Sequence, residues 1–225
     1  MITPYELAYL SGDAYREDPM VQPASYEINI PQAGDWGVGA HDGVSDSFFC
    51  TKYIKSGSFE NVIAFRGTGV TRPADVAVDI AHLFSRSSPY ISAALSFMRR
   101  FSDRQTIVTG HSLGGFIAIT MAYHYTIKVA AINPPWTGSD LSTTTSLLTL
   151  LPNMLDRYEA SRSPSFQSSR IIVYQSTSDV VTANTHSSRV RGPNINFIRI
   201  GAHGWHNLDP IIDDFRRNRN YAIRW

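Results

Sequence analysis

One stretch limits this chain more than any other: "TIVTGHSLGGFIAITMAYHY", in which Ser112 stands among four glycine and histidine neighbours between two apolar runs. The run before it is rich in β-formers, and the run after it is long enough for a helix. A Gly-x-Ser-x-Gly pattern alone is weak, because such turns also arise by chance. Between a strand and a helix it gains meaning: a sharp turn there lifts the serine hydroxyl above the edge of a sheet, where it can attack. The glycines then have a steric purpose, since strand and helix backbones approach too closely for side chains. The helix points its positive end at the same spot, with the Leu113 N–H placed to bind an oxyanion.

Around this stretch the chain alternates. A helix is expected over Pro4 to Tyr15 with Thr3 as its cap, then an irregular surface segment over Gln22 to Gly43, rich in Pro and Gly. "DSFFCTKYI" and "ENVIAFRG" read as a hairpin about the turn "KSGSF". Next come a helix over Pro89 to Phe101, a strand over Gln105 to Thr109, a helix over Leu113 to Tyr125, strands at Lys128 to Ile132, Arg170 to Gln175 and Ile195 to Ile200, and a helix from Pro210 to Asn218 capped by Asp209. Strands alternating with helices imply an α/β fold with a mostly parallel central sheet and helices on both faces. With 225 residues and 43% hydrophobic content, a single domain over 1–225 accounts for the whole chain. Within it, 136–169 is a Ser/Thr-rich insert. Leu147, Leu148, Leu151, Met154, Leu155 and Tyr158 repeat there at helical spacing, as a cap or lid helix would, with Pro152 interrupting.

A serine hydroxyl needs a histidine to take its proton, and that histidine needs a carboxylate to hold its tautomer. On an α/β-hydrolase scaffold the three follow in the order Ser, acid, His, the last two just past later strands. Asp179 lies beyond the strand ending at Gln175, and His203 and His206 lie beyond the strand ending at Ile200. Asp140 and Asp156 fall in the insert, and Asp213 and Asp214 on the final helix, so Asp179 is the acid. His186 has no strand between it and Asp179, while His41, His82 and His124 precede the acid. Spacing leaves His203 and His206 open.

At these residues the chain resembles the class 3 lipases, the fungal-type triacylglycerol lipases with their plant and bacterial phospholipase and esterase relatives. "IVTGHSLGG" is similar to that family's elbow, and "VIAFRGTG" to its oxyanion strand and turn, where Thr68 helps to hold the oxyanion. "ADVAVDI" and "LAYLSGDAY" resemble two further stretches of the family. "SDVVT" is similar to its acid loop, and "HNLDPI" to the pattern around its histidine, which favours His206. Val76 stands where the family has tryptophan, and 81–89 is shorter than the corresponding segment, so the lid is reduced or shifted into the insert. The resemblance implies a Ser112–Asp179–His206 triad with Thr68 and Leu113 as oxyanion donors, acting through an acyl-enzyme on acyl esters of lipids, with a small-ester carboxylesterase, which shares this triad, as the alternative. His111 is expected to pack beneath the turn and Arg66 to hold a loop.

Two other readings compete. His203, His206 and Asp209 offer metal ligands at short spacing, though Asp209 opens a helix and the three need not share a face. A lipase fold without activity is the second, opposed by the full set of triad residues. No metal or organic cofactor is expected. With 20 basic against 19 acidic residues, no field gathers nucleic acid, while a lipid substrate would bring transient contact with a lipid surface. Cys50, the single cysteine, allows no internal disulfide and reads as buried packing on a strand. The start "MITPYELAYLSGDAY" lacks the pattern of a signal peptide and no window is apolar enough to span a membrane. A cytoplasmic enzyme, or one exported by a leaderless route such as a lipid-degrading toxin, is the expectation.

Overall fold

In the computed structural model, residues 2–15, 36–45, 48–67, 89–134, 164–177, 194–201, 207–218, 221, 223 and 225 are described, and the account below is confined to them. Five helices and seven strands follow one another: α1 (Pro4–Asp13), β1 (Trp36–Ser45), β2 (Phe48–Lys55), β3 (Asn61–Phe65), α2 (Pro89–Phe101), β4 (Thr106–His111), α3 (Leu113–Met121), β5 (Lys128–Ile132), α4 (Pro164–Ser168), β6 (Arg170–Ser176), β7 (Ile195–Ile200) and α5 (Asp209–Arg217).

The seven strands form one sheet in the order of the sequence. β1, β2 and β3 pair antiparallel, and β3 to β7 run parallel. A parallel sheet whose strands always step in the same direction, joined by right-handed crossovers, carries all its connecting helices on one face. Here that face holds Ala94, Phe97 and Met98 of α2, Leu113, Ile117 and Met121 of α3, and Phe166 of α4. Among the described residues the opposite face is covered by the first and last helices: Leu7, Ala8 and Leu10 of α1, with Ile211, Ile212 and Phe215 of α5.

Strand residues divide between these faces with period two. Ile63 and Phe65 of β3 face the crossover helices, Val62 and Ala64 the terminal ones, and the same alternation continues through Val129, Ala130, Ala131 and Ile132 of β5. Strands buried on both faces read as unbroken apolar runs, which is why β3 to β6 were legible. α3 is apolar nearly all round because it lies wedged against β3, β4, β5 and α2.

Several sequence expectations need correction. The segment expected to be irregular contains β1, an antiparallel edge strand whose register shifts at Val38/Ala40 and Gly43/Ser45. Its glycines disfavour a strand in isolation, and pairing with β2 overrides them. α3 ends at Met121, short of Tyr125, and the cap of α5 is Leu208 rather than Asp209, which is the first helical residue. At Thr3 the expectation holds: its hydroxyl accepts from the Glu6 N–H at 3.2 Å while the Glu6 carboxylate accepts from the Thr3 N–H at 2.6 Å, a reciprocal capping box. Cys50 is fully buried on β2. Of the 136–169 insert only its end, including α4, is described, and the expected cap helix lies outside.

Candidate active site

Ser112 sits where β4 hands over to α3, with φ 55° and ψ −127°. A non-glycine residue at positive φ costs about 1–3 kcal/mol, sustained only when the surroundings fix it. Those surroundings are backbone. A side chain on Gly114 would run into the Phe65 carbonyl at the end of β3, and one on Gly110 would meet Gly114 in the first turn of α3. The Ser112 N–H donates to the Ile132 carbonyl at 3.0 Å, which ties the turn to β5 on its other side. Ser112 is buried, and its Oγ has no hydrogen-bond partner among the described residues.

The first bond of α3 runs from the Phe116 N–H to the Ser112 carbonyl at 3.1 Å. The N–H groups of Leu113, Gly114 and Gly115 precede it and carry the positive end of the helix. The Leu113 N–H, directly after the serine, is the first of these donors.

His111 packs beneath the turn, as expected. Its Nδ1 lies 3.0 Å from the Tyr15 hydroxyl, which also donates to the His111 carbonyl at 3.4 Å. Tyr15, just past α1, was missed as a partner of this site; an aromatic residue closing the apolar stripe of "LAYLSGDAY" was the available signal. Ser11 and Thr109 bond through their hydroxyls at 3.0 Å, so α1 runs along β4 toward the elbow. Arg66 places its guanidinium over the Phe49 ring at 5.0 Å. Its Nε and one Nη are buried without a partner among the described residues, so the hydrogen-bonded loop anchor expected of it is not seen there.

Thr68, Asp179, His203 and His206 lie outside the described residues. The chain approaches them from one end of the sheet: Gly67 precedes Thr68 past β3, Thr177 follows β6, Gly201 follows β7, and Asn207 opens the way into α5. These are the carboxyl ends of the parallel strands, where open α/β sheets bind their ligands. The start of α5 is also close to the elbow's support, since a Cβ on Gly12 near the end of α1 would stand 3.4 Å from Leu208 and 3.5 Å from Ile212.

Beyond Ser112, His111 and Arg66, the buried polar groups described at this end include Asn133 and Ser176. Asn133, just past β5, has φ 41° and accepts through Oδ1 from the Ser176 N–H at 2.7 Å. "NPP" directly after an apolar strand is a turn signal that could have drawn attention to it. Burial pushes the Tyr174 hydroxyl to a raised pKa, and burial together with the charge of Asp213 raises the Asp209 carboxyl. Among the described residues no three His, Cys, Asp or Glu side chains gather as a metal group, and no helix is long and apolar enough to cross a membrane.

A strained serine between the central strand of a mostly parallel sheet and a buried helix, with covering helices on both faces, defines the α/β-hydrolase fold. Among solved structures the chain is similar to mouse alpha/beta hydrolase domain-containing protein 10, with 13% identity, TM-score 0.43, and coverage of 79% of this chain and 96% of that one. It is likewise similar to the fluorophosphonate-binding serine hydrolase F of Staphylococcus aureus, with 14% identity, TM-score 0.44, and coverage of 80% and 97%. The S-formylglutathione hydrolase of Staphylococcus aureus matches at 17% identity and TM-score 0.36, with coverage of 64% of this chain and 62% of its own length. No protein-family model matches the chain, and no curated protein matches it in sequence.

Proposed function

We propose that the protein is a serine ester hydrolase of the class 3 lipase type, with Ser112, His206 and Asp179 as its triad. The observation that carries this reading is the strained, buried Ser112, whose hydroxyl takes no partner among the described residues at the carboxyl end of the sheet. A turn held by three strands in a costly conformation is difficult to account for by packing alone, because glycine there would relieve the strain.

The distances available to the loops support the remaining assignments. Neighbouring strands stand about 4.8 Å apart, so the ends of β6 and β7 lie roughly 10 Å and 14 Å from that of β4. Chain extends at most about 3.5 Å per residue. Asp179, three residues past Ser176, and His206, six past Ile200, can both span those gaps. His206 also precedes Leu208 by two residues, and Leu208 adjoins the helix end that holds the elbow. The resemblance of "HNLDPI" to the pattern around the family's histidine favours His206 over His203.

In this mechanism His206 accepts the Ser112 proton while Oγ attacks the ester carbonyl carbon. The negative oxygen that forms is held by the N–H groups of Thr68 and Leu113, an arrangement whose loss of one donor costs about a hundredfold or more. His206 then passes the proton to the departing alcohol as the ester C–O bond breaks, leaving an acyl-serine. Water, deprotonated by His206, attacks that ester, and the acid departs with Oγ reprotonated. Asp179 holds the imidazole in the required tautomer throughout.

The elbow and oxyanion sequences favour acyl esters of lipids as the substrate class, taken up at a lipid surface. The decisive experiment is labelling with a fluorophosphonate probe, which should modify wild type at Ser112, ignore chelators, and spare Ser112→Ala. Equal labelling of both would sink the mechanism. Rates on short esters, triacylglycerol and phospholipid vesicles, measured together, then decide the acyl substrate; turnover confined to short esters would remove the lipase assignment.

A further inference from the structure

Six hydrogen bonds outside the strand ladders run across the carboxyl end of the sheet. The Ser112 N–H donates to the Ile132 carbonyl at 3.0 Å, and the Asn133 N–H donates to the Tyr174 carbonyl at 2.8 Å. The Ser176 N–H donates to Asn133 Oδ1 at 2.7 Å, and the Ser176 hydroxyl donates to the Gly201 carbonyl at 3.1 Å. The Gly201 N–H reaches the Asp214 carboxylate at 3.4 Å, where the Tyr221 hydroxyl also donates at 3.1 Å. The series begins at the nucleophile and passes through the exits of β5, β6 and β7.

Asn133 is the unusual member. β5 pairs with β6 only as far as Ile132 against Tyr174, whereas β6 continues beside β7 to Ser176. The Ser176 N–H would face an empty position on the β5 side. The Asn133 side chain fills that position with a carbonyl oxygen, extending the ladder by one rung while its own backbone turns away at φ 41°. Asparagine tolerates that conformation better than most residues. It is fully buried, and its Nδ2 has no partner among the described residues, so a donor remains at the point from which the chain proceeds to Asp179.

We propose that Asn133 and Ser176 form a clasp that positions the loops carrying Asp179 and His206 relative to Ser112. The inference rests on the triad assigned above. Both are positioning residues: neither touches the reacting atoms. The acid loop leaves β6 directly after Ser176, and the histidine loop leaves β7 directly after Gly201, so one serine fixes the origin of both through its N–H and its hydroxyl. A misplacement of about 1 Å in such a constellation can lower turnover a hundredfold.

The test compares wild type with Asn133→Gly, Ser176→Ala and Ser176→Thr on a chromogenic p-nitrophenyl ester. Glycine keeps the left-handed turn and deletes the amide; threonine keeps the hydroxyl. The clasp requires kcat to fall roughly tenfold or more in Asn133→Gly and Ser176→Ala, with KM within about twofold and thermal midpoints well above the assay temperature. Ser176→Thr should restore kcat. Wild type that labels with fluorophosphonate, beside variants equal to it in kcat, overturns the clasp alone. So does a loss shared by Ser176→Ala and Ser176→Thr, or one that follows the fraction unfolded. Wild type that neither labels nor turns over removes the triad reading and the clasp together.

Discussion

The two ends of the parallel sheet are built to opposite rules. At the amino end the buried polar side chains of Glu6, Asn61 and Thr106 all find partners. The Asn61 amide donates to both oxygens of Asp103 at 3.0 and 2.9 Å, the Thr106 hydroxyl donates to Asn61 at 2.7 Å, and Lys55 meets the buried Glu6 at 2.8 Å. At the carboxyl end stand the two non-glycine residues with positive φ among the described residues, Ser112 and Asn133, and buried donors without described partners on both as well as on Arg66. One end is optimised for stability. The other holds strain and unspent hydrogen-bonding capacity, the condition expected where chemistry takes place.

Substitutions can break that contrast. Ser112→Ala should have the largest effect, a loss of turnover of about a millionfold with little change in thermal midpoint, read by ester hydrolysis and calorimetry. Gly114→Ala should cost several kcal/mol, because its methyl would strike the Phe65 carbonyl and no flexible side chain is there to yield. Gly57, in the hairpin at the opposite end, has φ 69° but open space around it, so Gly57→Ala should cost only about 1 kcal/mol. Equal urea midpoints for the two alanine variants would refute the close packing inferred for the elbow. Lys55→Met should destabilise by about 2 kcal/mol and leave kcat unchanged, because it leaves the buried Glu6 charge without its cation, far from the reaction, with only Thr3 still donating to it.

Two finer effects sharpen the comparison. Ser112→Gly should be more stable than wild type by about 1 kcal/mol while inactive, since glycine takes the turn without strain. At the amino end, burial pushes the Glu6 and Asp103 carboxyls upward, but hydrogen bonds from Lys55 and Thr3, and from Asn61 and Gln105 with the charge of Lys52, hold both below their ordinary values. A depressed folded pKa stabilises the protein above the unfolded value near 4 and is lost as pH falls through the folded value. Urea midpoints should therefore drop below about pH 4, and Glu6→Gln should flatten that decline. A decline of the same steepness in that variant would show the pair to be idle.

The sequence displayed these ends unequally. β3 to β6 and the helix after Ser112 stood out because burial on both sides writes continuous apolar runs, and the elbow because sterics admit only glycine beside it. β1 was hidden, since an edge strand takes its order from pairing with β2 and needs no hydrophobic signature of its own. Asn133 and Tyr15 were hidden for a related reason: each acts on a residue distant in the chain, Ser176 and His111 respectively, and no local pattern records a contact made by folding. Order along the chain could suggest Asp179 and a histidine past β7, but not the hydrogen bonds that secure the strands on which their loops begin.

The layer formed by α1 and α5 has a consequence in time. The Tyr15 hydroxyl that meets His111, and the surface of α1 that receives Leu208 and Ile212, leave the ribosome ahead of the strands described above, and α5 leaves after them. The part of that face which α5 covers therefore waits until the strands have been made. A chain still being made thus has its serine before it has the whole wall behind it, and that wall is complete only when α5 closes on α1.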